Sequence, residues 1–144
     1  HLIAVPGVGQ VQTLICYEVI FSGHVVAPQP RPDLMVNVTN DAWFGATIGP
    51  WQHLYQAQLR AVEEGIPLLR VANTGISAAF DGFGRQLGSI PLGERAYLDI
   101  AIPSVLTAPV FARFGNVGFF ALCLGAFGVA LGLYRRDKQK ALKT

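Results

Sequence analysis

A run with no charged or strongly polar side chain, Val117 to Leu133, stops abruptly at Arg135, Arg136, Lys138, Lys140 and Lys143, opposed only by Asp137. That run sits at the lower edge of the roughly 17 to 25 residues a helix needs to cross a bilayer, and a start within Val110 to Asn116 or extension through Tyr134 lengthens it. A core helix of a soluble domain would keep a polar face, and this segment has none. The pattern therefore predicts a membrane helix over 117–134 and a basic tail over 135–144. Clustered Arg and Lys stay on the cytoplasmic side, so everything before Asn116 is expected on the opposite side of the membrane. Gly128 and Gly132 form a small-xxx-small pair that suits close packing against another helix.

Composition agrees with a membrane anchor: 14% of the chain is charged, against about 25% in ordinary soluble domains. The basic excess lies mostly in the tail, which argues for anionic lipid headgroups and against nucleic acid. Cys16 and Cys123 would be held apart by membrane depth, so no disulfide between them is expected. No zinc spacing, glycine-rich phosphate loop, signal peptide or internal repeat is present.

Ahead of the span, Leu2 to Val5 and Val11 to Cys16 are short apolar runs separated by Pro6-Gly7-Val8-Gly9, the mark of a hairpin or tight turn. A short element through Val19, Ile20, Phe21 and Val25 is halted by Pro28, Pro30 and Pro32. Leu34 to Val38 reads as a buried strand. A helix begins at Pro50 and ends before Gly65 and Pro67. Trp51, Leu54, Tyr55, Leu59 and Val62 should form its sheet-facing stripe, with Gln52, Gln56, Arg60, Glu63 and Glu64 largely elsewhere on its surface. Pro67 to Ala72, Ser77 to Phe80, Gln86 to Ile90 and Ala96 to Ala101 read as further strands, with Asp81-Gly82-Phe83-Gly84 a turn between two of them. Strands around one good helix fit part of a layered sandwich, since a half-sandwich exposes a sheet face.

The chemistry centres on Leu14-Ile15-Cys16-Tyr17-Glu18. A thiol where a strand gives way to a turn has a fixed attack direction and remains accessible; the alternative is a small buried hydrophobe. Downstream come Asn37-Val38-Thr39-Asn40-Asp41-Ala42-Trp43-Phe44-Gly45, Gly49-Pro50-Trp51-Gln52-His53, Arg60-Ala61-Val62-Glu63 and Leu68-Leu69-Arg70-Val71-Ala72-Asn73-Thr74-Gly75-Ile76-Ser77. In this order and spacing the chain resembles the carbon–nitrogen hydrolase (nitrilase) superfamily, and specifically its membrane-bound branch, the apolipoprotein N-acyltransferases.

The resemblance implies an α/β fold, here the C-terminal part of a nitrilase-like α-β-β-α sandwich followed by one transmembrane helix. Residues 1–103 would belong to the catalytic domain, 104–116 to a connector, 117–134 to the membrane helix and 135–144 to the cytoplasmic tail. It also implies a Glu-Lys-Cys triad without cofactor or metal, in which the Cys accepts an acyl group from a phospholipid as a thioester. The acceptor would be the α-amine of a lipoprotein's diacylglyceryl-modified N-terminal cysteine. The implied location is the bacterial inner membrane, multi-pass in the full protein, with the catalytic part periplasmic.

Of the triad only the cysteine maps here, onto Cys16. The resemblance places the Glu and Lys upstream of the Cys, and in keeping with that no Glu or Lys precedes Cys16 and every lysine of the chain lies beyond the apolar segment. The chain is accordingly expected to be a C-terminal piece of a larger enzyme, without turnover alone.

Around Cys16, Tyr17 and Glu18 are candidates for active-site support. Glu18 would order the nucleophile loop by accepting backbone hydrogen bonds; the alternative for Tyr17 is a wall of the core. Asn40, Trp43 and Phe44 either border a lipid entrance or belong to a packed surface loop. His24 and His53 are the other bases available to a Cys-His dyad, with a structural role favoured for His53 in the first turn of its helix. Arg60 with Glu63 or Glu64 reads as a structural ion pair. The rival readings are a membrane-tethered amide or nitrile hydrolase and a catalytically silent, membrane-anchored binding module.

Overall fold

A computed structural model describes residues 2–26 and 29–141, so Pro28 and Lys143 lie outside the described residues. Six strands form one sheet in sequential order: β1 (Leu2–Val5), β2 (Gly9–Ile15), β3 (Leu34–Asn40), β4 (Leu68–Asn73), β5 (Ser77–Phe80) and β6 (Gln86–Ile90). β2, β3 and β4 run parallel, whereas β1, β5 and β6 pair antiparallel at the two sides. The parallel centre follows from the connections: β3 and β4 are joined through a helix, α1 (Gly49–Glu64), and only crossovers of such length return a strand parallel. The turn between β1 and β2 is closed by the Val8 amide donating to the Val5 carbonyl.

Because strand side chains alternate, the register fixes what lies under α1. The ladder Gln12, Met35, Leu68, Phe80 and the ladder Leu14, Asn37, Arg70, Ala78 are both buried. Leu14, Met35, Leu68, Ala78 and Phe80 form the core with Val19, Val25, Leu54, Ala57, Ala61, Ile66 and Ile76. The opposite face is apolar too, yet open: Ile15, Val38 and Val71 lie side by side and are 52%, 41% and 56% exposed. A sheet with two apolar faces and one covered is what a half-sandwich looks like.

Helix α1 starts beside Pro50 and stops at Gly65, whose left-handed backbone (φ 64°) returns its amide to Ala61 and Val62. Its buried face is Pro50, His53, Leu54, Ala57, Arg60, Ala61 and Glu64, while Trp51, Tyr55, Leu59 and Val62 are exposed. The stripe expected from the sequence is thus rotated, Leu54 alone of it being buried. Small Ala57 and Ala61 allow close approach to the sheet, and the polar residues on that face have partners. Arg60 donates to the Ile20 carbonyl at 2.9 Å and to Glu63 at 2.8 Å. Arg31 donates to the Glu64 carbonyl. Burial raises the Glu64 carboxyl above its ordinary value, with Arg31 opposing.

One further expectation is corrected. Ala96 to Ala101 is not a strand: Leu98 and Ile100 lie over β6 at Gly88, where an added Cβ would stand 2.6 Å from Leu98 Cδ2 and 3.1 Å from Ile100 Cδ1. A segment packed on a face has no ladder to join. The apolar segment forms one helix, α3 (Val117–Ala141), preceded by a short separate helix α2 (Val110–Phe114) that ends at Gly115 (φ 53°). The basic residues through Lys140 therefore continue the helix, as unbranched Arg, Lys and Gln readily do. Chain contacts divide the molecule into two units, His1–Arg113 and Phe114–Thr144. Within the second, Val117–Arg136 is long and apolar enough to cross a membrane.

Candidate active site

Strand β2 ends at Ile15, and Cys16 opens a 3₁₀ turn, Cys16–Ile20, with φ of 51°. A non-glycine residue in the left-handed region is uncommon, and such strain clusters at functional sites. The conformation bends the chain sharply at the thiol, which is partly buried. Glu18 closes the turn: its Oε2 accepts the Ile15 amide at 2.6 Å. A carboxylate reaching back to the residue before the cysteine holds the bend from one side.

The other side is held by the sheet. Asn37, one strand over, donates its amide to the Leu14 carbonyl at 3.1 Å and the Cys16 carbonyl at 3.3 Å. Arg70, on the next strand in the same ladder, donates to Asn37 Oδ1 at 2.7 Å, Asp41 Oδ2 at 2.6 Å and the Ile76 carbonyl at 3.3 Å. Asp41 Oδ1 takes Thr39 Oγ1 at 3.3 Å and His53 Nδ1 at 2.9 Å. A carboxylate only accepts, so Nδ1 donates to Asp41, and among the described residues His53 Nε2 has no hydrogen-bond partner. Burial pushes the Arg70 guanidinium down from its ordinary value, while Asp41 and then Cys16 favour its charged form. Arginine stays protonated in such surroundings.

Tyr17, Phe44 and His53 form a ring cluster: Tyr17 lies 5.3 Å from His53 and 6.2 Å from Phe44 between centroids, and Phe44 lies 5.8 Å from His53. Trp43, by contrast, is 78% exposed. The adjacent aromatics thus part company, one joining the wall and the other facing out. Asn40 is exposed and its side chain accepts the Ala42 amide at 3.1 Å, shaping the loop. His24 is exposed on the segment after the turn.

Sequence reasoning passed over the buried network of Asn37, Asp41 and Arg70. Its signal was available: Asn37 and Arg70 interrupt otherwise apolar strands at core-facing positions, where a polar side chain requires a partner. Close approach also explains Gly75, since an added Cβ there would strike the Asp41 carboxylate.

A thiol on a strained strand-to-helix bend, backed by a buried charge network on one layer of an open α/β sandwich, is the candidate site. The sequence profile described as carbon-nitrogen hydrolase matches residues 2–110, and the chain belongs to that family. Its curated relatives are more particular. The apolipoprotein N-acyltransferase of Bradyrhizobium diazoefficiens is 46% identical over 94% of this chain and 25% of its own length. That of Rickettsia bellii is 43% identical over 90% of this chain and 26% of its own. The chain thus spans about a quarter of the relatives it matches. Among solved structures, an amidase of Nesterenkonia sp. AN1 aligns with a TM-score of 0.49 at 25% identity, over 64% of this chain and 37% of the other.

Proposed function

We propose that this chain is the cysteine-bearing C-terminal part of an N-acyltransferase that moves a fatty acyl group from a phospholipid to the N-terminal amine of a diacylglyceryl-apolipoprotein. The observation that carries the reading is the left-handed Cys16 at the end of β2, within a chain that ends in a helix apolar enough to span a bilayer. In the first step Cys16 Sγ, its proton removed, attacks the phospholipid ester carbonyl. The thioester forms as the ester C–O bond breaks, and the lysophospholipid leaves with a proton on its alkoxide oxygen. In the second, the α-amine attacks the thioester carbonyl, the amide forms and the thiol is restored as the amine loses its proton. The Cys16 amide is a candidate oxyanion donor.

The base and the second oxyanion partner are the Glu and Lys expected from the upstream part of the same enzyme, which leaves the 144-residue chain inactive alone. That part would also cover the open face bearing Ile15, Val38 and Val71. Glu18 supports the nucleophile turn, Tyr17 and Phe44 wall the site, and Trp43 with Asn40 borders the lipid entrance. Trp prefers the bilayer interface, where its ring meets hydrocarbon and its N–H meets headgroups.

The catalytic part lies on the periplasmic side of the inner membrane and α3 carries the chain to the cytoplasm. A tag placed after Thr144 should therefore resist protease added outside spheroplasts and be cut after lysis.

The test uses the longer enzyme, labelled phospholipid and a diacylglyceryl-peptide acceptor. Label is expected on the peptide amine; release only as free fatty acid identifies a hydrolase instead. In the same assay Trp43→Ala should lower phospholipid use about tenfold, the scale of one lost interfacial aromatic anchor, while a small soluble ester is used nearly as before. Equal losses with both donors would remove Trp43 from the entrance.

A further inference from the structure

Cys16 is held left-handed, a conformation that a residue with a Cβ leaves unless its neighbours are tied down. Glu18 ties the amide side through Ile15. The carbonyl side is tied by one buried side chain, Asn37, whose amide nitrogen reaches the carbonyls of Leu14 and Cys16, one on each side of the bend. We propose that Asn37 is a positioning residue for the nucleophile: oriented by Arg70, it pins the backbone on both sides of Cys16 and so sets the direction of Sγ.

The orientation of the Asn37 amide follows from chemistry. Arg70 Nη1, 2.7 Å away, can only donate, so the atom facing it is the amide oxygen. The two amide hydrogens are thereby turned toward the two carbonyls, which can only accept. Arg70 in turn cannot rotate away, because Asp41 and the Ile76 carbonyl hold its other nitrogens. The guanidinium acts on the thiol's backbone through Asn37, which makes Arg70 a fixed post for the clamp.

Asn37 has no accessible surface, so it touches neither donor nor acceptor. Its contribution is to the geometry of attack, where a displacement of about 1 Å can cost on the order of 100-fold in rate. Loss of the clamp should consequently lower the rate of acyl-enzyme formation and leave donor binding alone.

The inference rests on Cys16 being the nucleophile, and the experiment separates the two. Parent, Cys16→Ala, Asn37→Asp and Asn37→Leu forms of the longer enzyme are mixed with labelled phospholipid, and the rate constant and amplitude of acyl-enzyme formation are followed at varied donor concentration. Asn37→Asp keeps an acceptor for Arg70 but removes both donors; Asn37→Leu removes them without adding charge. The expected result is a rate constant at saturating donor lowered about tenfold or more in both variants, with the donor concentration for half-saturation and the amplitude little changed. Label on Cys16→Ala equal to that on the parent overturns the nucleophile reading itself. A parent labelled at Cys16, with Asn37 variants that react at its rate, overturns the positioning role. Loss of amplitude at an unchanged rate constant, or variants that do not fold, assigns Asn37 to stability alone and overturns it as well.

Discussion

In the longer enzyme, Cys16→Ala should abolish acyl-enzyme formation while the protein stays folded. The thiol sits on a turn whose hydrogen bonds come from its backbone and from Glu18 and Asn37, none of which the substitution removes. Only the bond-forming sulfur goes. Loss of a covalent nucleophile typically costs several orders of magnitude in rate, about 10⁶ in a well-studied serine protease, so the effect should be close to complete. Labelled phospholipid should mark the parent and leave the variant blank, with melting temperatures close together. A variant that still carries label would move the nucleophile elsewhere, and His53 would then be the first group to reconsider.

What made this turn legible in the sequence was a local pattern. Val11, Leu14 and Ile15 declare an apolar strand, and the polar and glycine residues soon after declare its end. The bounds of α1 were legible for the same reason, since Pro50 and Gly65 are punctuation that acts on their own backbone. The face of α1 was not. Counting large apolar residues selects Trp51, Tyr55, Leu59 and Val62, yet the sheet accepts Ala57 and Ala61, because small side chains allow the closest packing. Arg60 pairs with Glu63 as the helix spacing indicated, but its burial on that face, with the Ile20 carbonyl as a second acceptor, is not revealed by periodicity.

The clamp and its charge network were hidden for a different reason. Asn37, Asp41 and Arg70 come from two strands and a loop, and they meet only because β2, β3 and β4 pair in parallel with Leu14 opposite Asn37 and Asn37 opposite Arg70. Register is a property of the pair, not of either strand. Ala96 to Ala101 shows the converse: its alternation suits a strand, but Leu98 and Ile100 lie on β6 at Gly88.

The second large effect is expected at Arg70. Its guanidinium and the Asp41 carboxylate are both fully buried and 2.6 Å apart. Arg70→Met fills much of the same volume but leaves Asp41 as a buried anion with Thr39 and His53 as its side-chain partners. Breaking one side of a buried pair destabilises by about 3–5 kcal/mol, because the remaining charge keeps its desolvation penalty and loses its counter-charge. In the longer enzyme this should appear as a fall in melting temperature on the order of 10 °C. Asp41→Asn should be milder, since Arg70 then retains Asn37 and the Ile76 carbonyl as acceptors. The double variant, Asp41→Asn with Arg70→Met, should melt above Arg70→Met alone, since neutralising the stranded carboxylate removes the main penalty. That ordering is the decisive part of the result. If the double variant falls by the sum of the two single changes, Asp41 and Arg70 are not energetically coupled, and the group that holds Arg70 in place would have to be sought among its other partners.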